Sequence, residues 1–118
     1  MKTLLWLDDI RNPLEGDWLI FSPISRPYNV VWVKNFEEFT EWIIQNGLPD
    51  GICFDHDLGA DEETSKLFLS GFDCTKWLVD YCINNDFDFP KYNIQSANPV
   101  GKDNINGYIQ SYIKHRKI

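Results

Sequence analysis

Two apolar runs in this chain break off abruptly into acid. Thr3-Leu4-Leu5-Trp6-Leu7 runs into Asp8-Asp9, and Gly51-Ile52-Cys53-Phe54 runs into Asp55-His56-Asp57-Leu58-Gly59. Neither run alternates apolar with polar residues, as a strand with one wet face would. Residues 3 to 8 and 51 to 54 are therefore expected to be central strands of a parallel sheet covered on both faces. Two further strands are expected over residues 29 to 34, Asn29-Val30-Val31-Trp32-Val33-Lys34, and 92 to 96, Tyr92-Asn93-Ile94-Gln95-Ser96.

Helix signals lie between these runs. Asn35 followed by Glu38 forms a capping-box-like start, and Phe36, Phe39, Trp42 and Ile43 supply an apolar stripe up to Gly47 and Pro49. A second helix is expected from about Asp73 to Asn84, with Trp77, Leu78, Tyr81 and Cys82 turned inward. Asn98-Pro99 places a good N-cap before a proline at the first helical position, and Ile105, Tyr108, Ile109, Tyr112 and Ile113 then share one face. Residues 10 to 28 differ: Pro13, Gly16, Pro23 and Pro27 oppose a regular helix, so a long irregular crossover is expected. The polar, acidic stretch at 59 to 72 is long enough to act as a lid. Strands alternating with helices imply a small doubly wound parallel α/β sheet of four strands, in one domain of 118 residues.

Composition narrows the partners. Five Trp, eight Phe and five Tyr within a 43% hydrophobic chain are enough for a packed core, which excludes a disordered chain. A formal charge of -7 argues against non-specific binding to a nucleic-acid backbone. No run approaches the length of a membrane span, and Met1-Lys2 leads into a strand instead of a signal peptide, so a cytoplasmic protein without membrane contact is expected. Cys53, Cys74 and Cys82 are odd in number and lack C-x-x-C spacing, which suggests reduced structural thiols. The basic run Lys114-His115-Arg116-Lys117 is expected to be a solvated helix end that complements the macrodipole.

In doubly wound sheets ligands bind beyond the carboxyl ends of the strands. That rule gathers Asp8-Asp9, Asp55-His56-Asp57 and Ser96-Ala97-Asn98 on one edge. Crowded carboxylates repel unless a cation holds them, and Mg²⁺ prefers such oxygen ligands, so Asp8, Asp9, Asp55 and Asp57 are candidate metal ligands. The plain alternative is that these acids cap loops or pair with Arg11. His56 sits between two acids and is suited to general acid or base work near neutral pH. Alternation along the strand end also turns it away from Asp55, where it would pack or hydrogen-bond under the following loop. Ser96-Ala97-Asn98-Pro99-Val100-Gly101 offers a hydroxyl, an amide and free N–H groups to an anion, or only an N-cap. Arg11 is a guanidinium fork for phosphate, or the partner of an acidic neighbour. Trp18 and Phe21 are candidates to flank a base or a partner. The absence of G-x-x-x-x-G-K-[ST], G-x-G-x-x-G, G-x-S-x-G and H-E-x-x-H excludes the P-loop, dinucleotide, hydrolase-elbow and zincin readings.

Leu7-Asp8-Asp9-Ile10-Arg11-Asn12-Pro13, Phe54-Asp55-His56-Asp57-Leu58-Gly59 and Ser96-Ala97-Asn98-Pro99-Val100-Gly101, in that order, resemble the cyclic-phosphate-processing receiver domains. The resemblance implies a receiver-like, flavodoxin-like three-layer sandwich. It makes Asp8 and Asp9 metal-binding acids, puts Asp55 at the receiver phosphoacceptor position and has Ser96 contact the phosphoryl group. Two departures stand out. Gln95 occupies the position before the serine where the family usually carries a histidine, and the receiver's fifth strand with its phosphate-pairing lysine is missing, leaving Lys102 to substitute for that charge. The expectation is a Mg²⁺-dependent domain that opens or hydrolyses a cyclic phosphate, with Asp55 and His56 catalytic. Arg11, Ser96, Asn98 and Lys102 would hold a phosphate-containing small molecule or nucleotide. The alternatives are a non-catalytic module that binds a phosphate ligand or a protein, and a signalling phosphoacceptor.

Overall fold

The structure, a computed structural model, describes residues 1–117. In chain order it comprises β1 (Lys2–Leu7), a single 3-10 turn (Trp18–Phe21), β2 (Tyr28–Val33), α1 (Phe36–Asn46), β3 (Gly51–Phe54), α2 (Gly71–Asn85), β4 (Lys91–Ile94) and α3 (Pro99–Arg116). The four strands form one all-parallel sheet in the order β2-β1-β3-β4. Leu7 lies opposite both Val33 and Phe54, and Phe54 lies opposite Ile94, so all four strands end level with one another. The chain leaves β1 toward one edge and β3 toward the other, and that switch point places Asp8 and Asp55 side by side.

The two sheet faces are covered differently. Leu5, Leu7, Val33, Ile52, Phe54 and Ile94 face the helix layer, where Phe39 and Ile43 of α1, Leu78 and Cys82 of α2, and Ile105 and Ile109 of α3 close the main core. Each such side chain contributes about 1.5–3 kcal/mol by leaving water. Leu4, Trp6 and Cys53 point the other way and are covered by Trp18, Leu19, Phe21 and Ile24. The third layer of the sandwich is thus an irregular strap over residues 9–27, because its prolines withhold the donors and dihedrals a helix needs. Right-handed crossovers put this β1–β2 connection on the face opposite the β2–β3 and β3–β4 helices. Trp18 and Phe21 stack on each other, with centroids 6.2 Å apart, and serve as this cover.

Element boundaries differ from the expected ones for local reasons. α2 begins at Gly71, two residues early, because Ser70 and Asp73 form a capping box: Ser70 Oγ accepts from the Asp73 N–H (3.3 Å), and Asp73 Oδ2 accepts from the Ser70 N–H (2.7 Å). β4 stops at Ile94, which leaves Gln95 and Ser96 in the loop. Asn98 caps α3 by accepting from the Gly101 N–H at 3.0 Å. At the far end of α3, Arg116 departs from the expected solvated end: it donates to Asp88 (2.8 Å) and Asp86 (3.0 Å) in the α2–β4 turn. All three cysteines are free and buried. Among the described residues no helix is long and apolar enough to cross a membrane.

Candidate functional site

Beyond the ends of β1, β3 and β4 lies a cleft of about 360 Å³, lined by Asp8, Asp9, Arg11, Asp55, Asp57 and Ser96, with Ile10, Gly59 and Ala97 completing its wall. The ladder bonds run one residue past each strand: Asp8 N–H donates to Val33 O (3.1 Å), Asp55 N–H to Leu7 O (3.0 Å) and Gln95 N–H to Phe54 O (3.0 Å). The backbone beneath the acids is therefore held as rigidly as the sheet itself. Two indoles fasten the following turn, since Trp32 Nε1 donates to Asp8 O (2.7 Å) and Trp6 Nε1 to Arg11 O (3.0 Å).

Asp8, Asp9 and Asp55 each offer a carboxylate oxygen, and these atoms lie within 4.8 Å of one another. Asp8 is 1% exposed and Asp55 is 6% exposed. Burial pushes the Asp55 carboxyl up to about 6, with the Asp8 and Asp9 charges adding to the rise against Arg11 and the His56 N–H. Asp9 is raised as well, first by burial and then by Asp8 and Asp57, while its backbone bond and Arg11 oppose the rise. Three hard oxygen donors whose charges oppose one another fit a divalent cation such as Mg²⁺.

Arg11 is already engaged. Its Nη1 donates to Asp8 Oδ2 and to Gln95 O, both at 3.3 Å, and stands 3.7 Å from Asp55 Oδ1, while its guanidinium lies 4.9 Å over the Trp18 ring. Asp8 Oδ1 accepts the backbone N–H groups of Ile10 (3.0 Å) and Arg11 (2.9 Å). Arg11 thus lines the cleft as the internal counter-charge of the acids, the pairing with acidic neighbours that was one of its two sequence readings.

The remaining candidates divide. Asp57 lines the cleft but stands outside the three-carboxylate cluster. Its Oδ1 lies 2.9 Å from His56 Nδ1 and its Oδ2 accepts from Asn98 Nδ2 at 3.4 Å; the His56 bond first, then Asn98, hold its carboxyl below the usual range. This geometry does not place Asp57 among the ligands of the clustered acids. The His56 ring is not part of the cleft wall. It packs on the first turn of α3, where a Cβ on Gly101 would stand 2.8 Å from His56 Nδ1 and closer still to its ring carbons. The ring thus packs on α3 while it hydrogen-bonds Asp57 at the start of the following loop, the kind of placement that alternation indicated. Ser96 lines the cleft, and its Oγ accepts the Asn98 N–H at 3.1 Å. Asn98 reaches the rim through Asp57. Lys102 is not brought there: it lines a separate groove beside β4 with Tyr92, Asn93 and Asn106, because the helical turn from Asn98 carries it toward the sheet edge. Gln95 is 5% exposed and donates through Nε2 to Leu7 O (2.9 Å), while its Oε1 has no partner.

Two glycines position the site: Gly59, which closes the second sequence motif, and Gly71, to which the sequence reading gave no role. Gly71 brings α2 so close to β3 that a Cβ there would overlap the Asp55 carbonyl, and its N–H donates to His56 O at 2.7 Å. Gly59, at φ +92°, starts the 59–70 loop directly beside Asp9.

Residues 3–111 match the family described as the cyclic-phosphate processing receiver domain. No curated protein and no solved structure is significantly similar to this chain.

Proposed function

The chain belongs to the cyclic-phosphate processing receiver domain family, and from that premise we propose that it opens or hydrolyses a cyclic phosphate with Mg²⁺ at the Asp8, Asp9 and Asp55 cluster. The observation that carries this reading is the convergence of three crowded carboxylates and the Ser96 turn in one cleft at the sheet's switch point. Asp8, Asp9 and Asp55 would hold the ion, which supplies Lewis-acid polarisation of the phosphoryl group when bound. Ser96 accepts the Asn98 N–H through its lone pair, so its own proton is available to donate to a phosphoryl oxygen. In hydrolysis, water oxygen bonds to phosphorus as the ring P–O bond breaks, and the freed ester oxygen leaves as a hydroxyl. Asp57 is ionised at neutral pH and faces the cleft, so it receives the proton from water and passes one to the departing oxygen. His56, behind it at 2.9 Å, is a positioning residue.

Turnover of a panel of cyclic phosphodiesters in Mg²⁺, followed by phosphorus NMR, tests this. Wild-type protein should yield monoester, and Asp55→Asn should abolish product; full activity in that variant refutes the mechanism. One observation favours a phosphate-binding module without turnover. Gln95 carries no transferable proton, and the His56 ring packs on α3 outside the cleft. Mg²⁺-dependent ligand binding with no product would select that reading.

A further inference from the structure

A second cavity, of about 450 Å³, opens between the start of α1 and the 61–69 segment. Its walls include Asn35, Phe36, Thr64, Lys66, Leu67 and Phe68. It adjoins the acidic cleft. A point 1.5 Å from the Gly59 Cα, the ideal Cβ position, lies 3.4 Å from Asp9 Oδ2 and 3.6 Å from the Phe68 ring, so one glycine separates the aromatic face from a cluster carboxylate. Phe68 is anchored there by its N–H, which donates to Gly59 O at 3.0 Å, and by the bridge between Ala60 and Leu67. The ring nevertheless remains 51% exposed, and Leu67 beside it 78%. Apolar side chains held in place beside a polar cleft and left open to solvent are characteristic of ligand sites.

We propose that this cavity is the base subsite of the phosphate cleft, so that the domain acts on nucleoside phosphoesters and not on phosphorylated sugars or alcohols without a ring system. The inference rests on the reading of the acidic cleft as a phosphate site. The substrate would lie along the carboxyl edge of the sheet, with phosphate over β1 and β3 and base over the end of β2, the direction in which α/β sheets seat their ligands. Phe68 offers the stacking face, and Phe36 lines the same cavity. Asn35 and Thr64 line the cavity, and since Asn35 Oδ1 caps the Glu38 N–H (2.8 Å) and Thr64 Oγ1 accepts the Lys66 N–H (3.3 Å), the Asn35 Nδ2 and the Thr64 hydroxyl proton are left as donors to base edges. A volume of 450 Å³ suits a base and part of its ribose. The strap aromatics do not serve, because Trp18 and Phe21 are taken up by each other, by Arg11 and by the sheet.

Calorimetry in Mg²⁺ with adenosine 5′-monophosphate and ribose 5-phosphate as probes tests the proposal on wild type, Phe68→Ala, Phe68→Tyr and Asp9→Asn. Wild type should bind the nucleotide about tenfold more tightly or better, the usual weight of one stacked base. Phe68→Ala should erase that preference and leave ribose 5-phosphate affinity unchanged, while Phe68→Tyr should keep it. Equal binding of the two probes by wild type, or a preference that survives Phe68→Ala, overturns the base subsite and leaves the phosphate site standing. If Asp9→Asn leaves nucleotide binding intact while Phe68→Ala weakens it, the subsite stands and the phosphate reading fails. Binding of neither probe by wild type overturns both.

Discussion

Replacing Asp55 with Asn removes one charge from a cluster that, without a cation, works against the fold. The carboxyl is displaced from 3.8 to about 6, chiefly by burial and then by Asp8 and Asp9. At about 1.4 kcal/mol per pH unit that interval corresponds to about 3 kcal/mol, and water in the open cleft screens it to about 1–2 kcal/mol. The sign follows from proton binding. Between the unfolded and folded values the native state binds more protons than the unfolded one, so this group's contribution to stability falls as pH rises from about 4 to 6 and is fully unfavourable at pH 7. Asn keeps the oxygen that accepts the His56 N–H at 3.0 Å and gives up only a 3.7 Å approach of Arg11. In urea denaturation without metal, Asp55→Asn should be about 1–2 kcal/mol more stable than wild type at pH 7.5 and no more stable at pH 4. Mg²⁺ should stabilise wild type and leave the variant unmoved. A variant less stable than wild type at pH 7.5, or a difference independent of pH, refutes the argument.

Gly71→Ala forces a methyl into the Asp55 carbonyl, backbone against backbone, where no side chain can give way; a loss of about 3 kcal/mol and a fall in Tm of about 10 °C should appear in a thermal melt followed by circular dichroism. Gly101→Ala meets the His56 ring first. A double-mutant cycle with His56→Ala should therefore show a coupling above about 1 kcal/mol, and simple additivity would contradict the packing. Burial pushes the Cys53 thiol up to about 12 and the Cys82 thiol up to about 11, with Cys74 raised also. Native protein should resist a thiol-labelling disulfide reagent at pH 8, whereas three groups should react in urea; rapid labelling of any one without denaturant would show that its cover opens.

Much of the scaffold was legible because its signals are local. The unalternating runs at Leu4–Leu7 and Gly51–Phe54 announce buried parallel strands, and the handedness of their connections then brings Asp8, Asp9 and Asp55 together without any further information. The start of α2 is the local exception, since the sequence reading sets it at Asp73 although Ser70 and Asp73 carry its capping box. What stayed hidden depends on tertiary approach. Nothing near His56 in sequence foretells that Gly101, 45 positions later, will admit its ring. Lys102 follows Ser96 closely in the chain, yet helical rotation carries it to another groove. Phe68 lies in a segment with no apolar period, so its closeness to Asp9 through Gly59 emerges only from the fold.

The strap that replaces a helix on one sheet face is continuous with the turn that carries Asp8, Asp9 and Arg11. Its internal bonding is sparse, with Ile20 N–H to Asp17 O and Ser22 N–H to Leu19 O at 3.1 Å among its few backbone bonds. The cover is therefore drawn from the low end of the molecule's local stabilities, and because Arg11 both stacks on Trp18 and faces Asp8 and Asp55, its opening disturbs the cleft although the acids' own backbone is held by the sheet. Any ligand that grips the acids raises the free energy of that opening, by about 2.7 kcal/mol at a hundred times its Kd. The amides of Ile20 and Ser22 should then exchange with deuterium about a hundredfold more slowly, so occupancy of the cleft can be read at residues on the far side of the sheet.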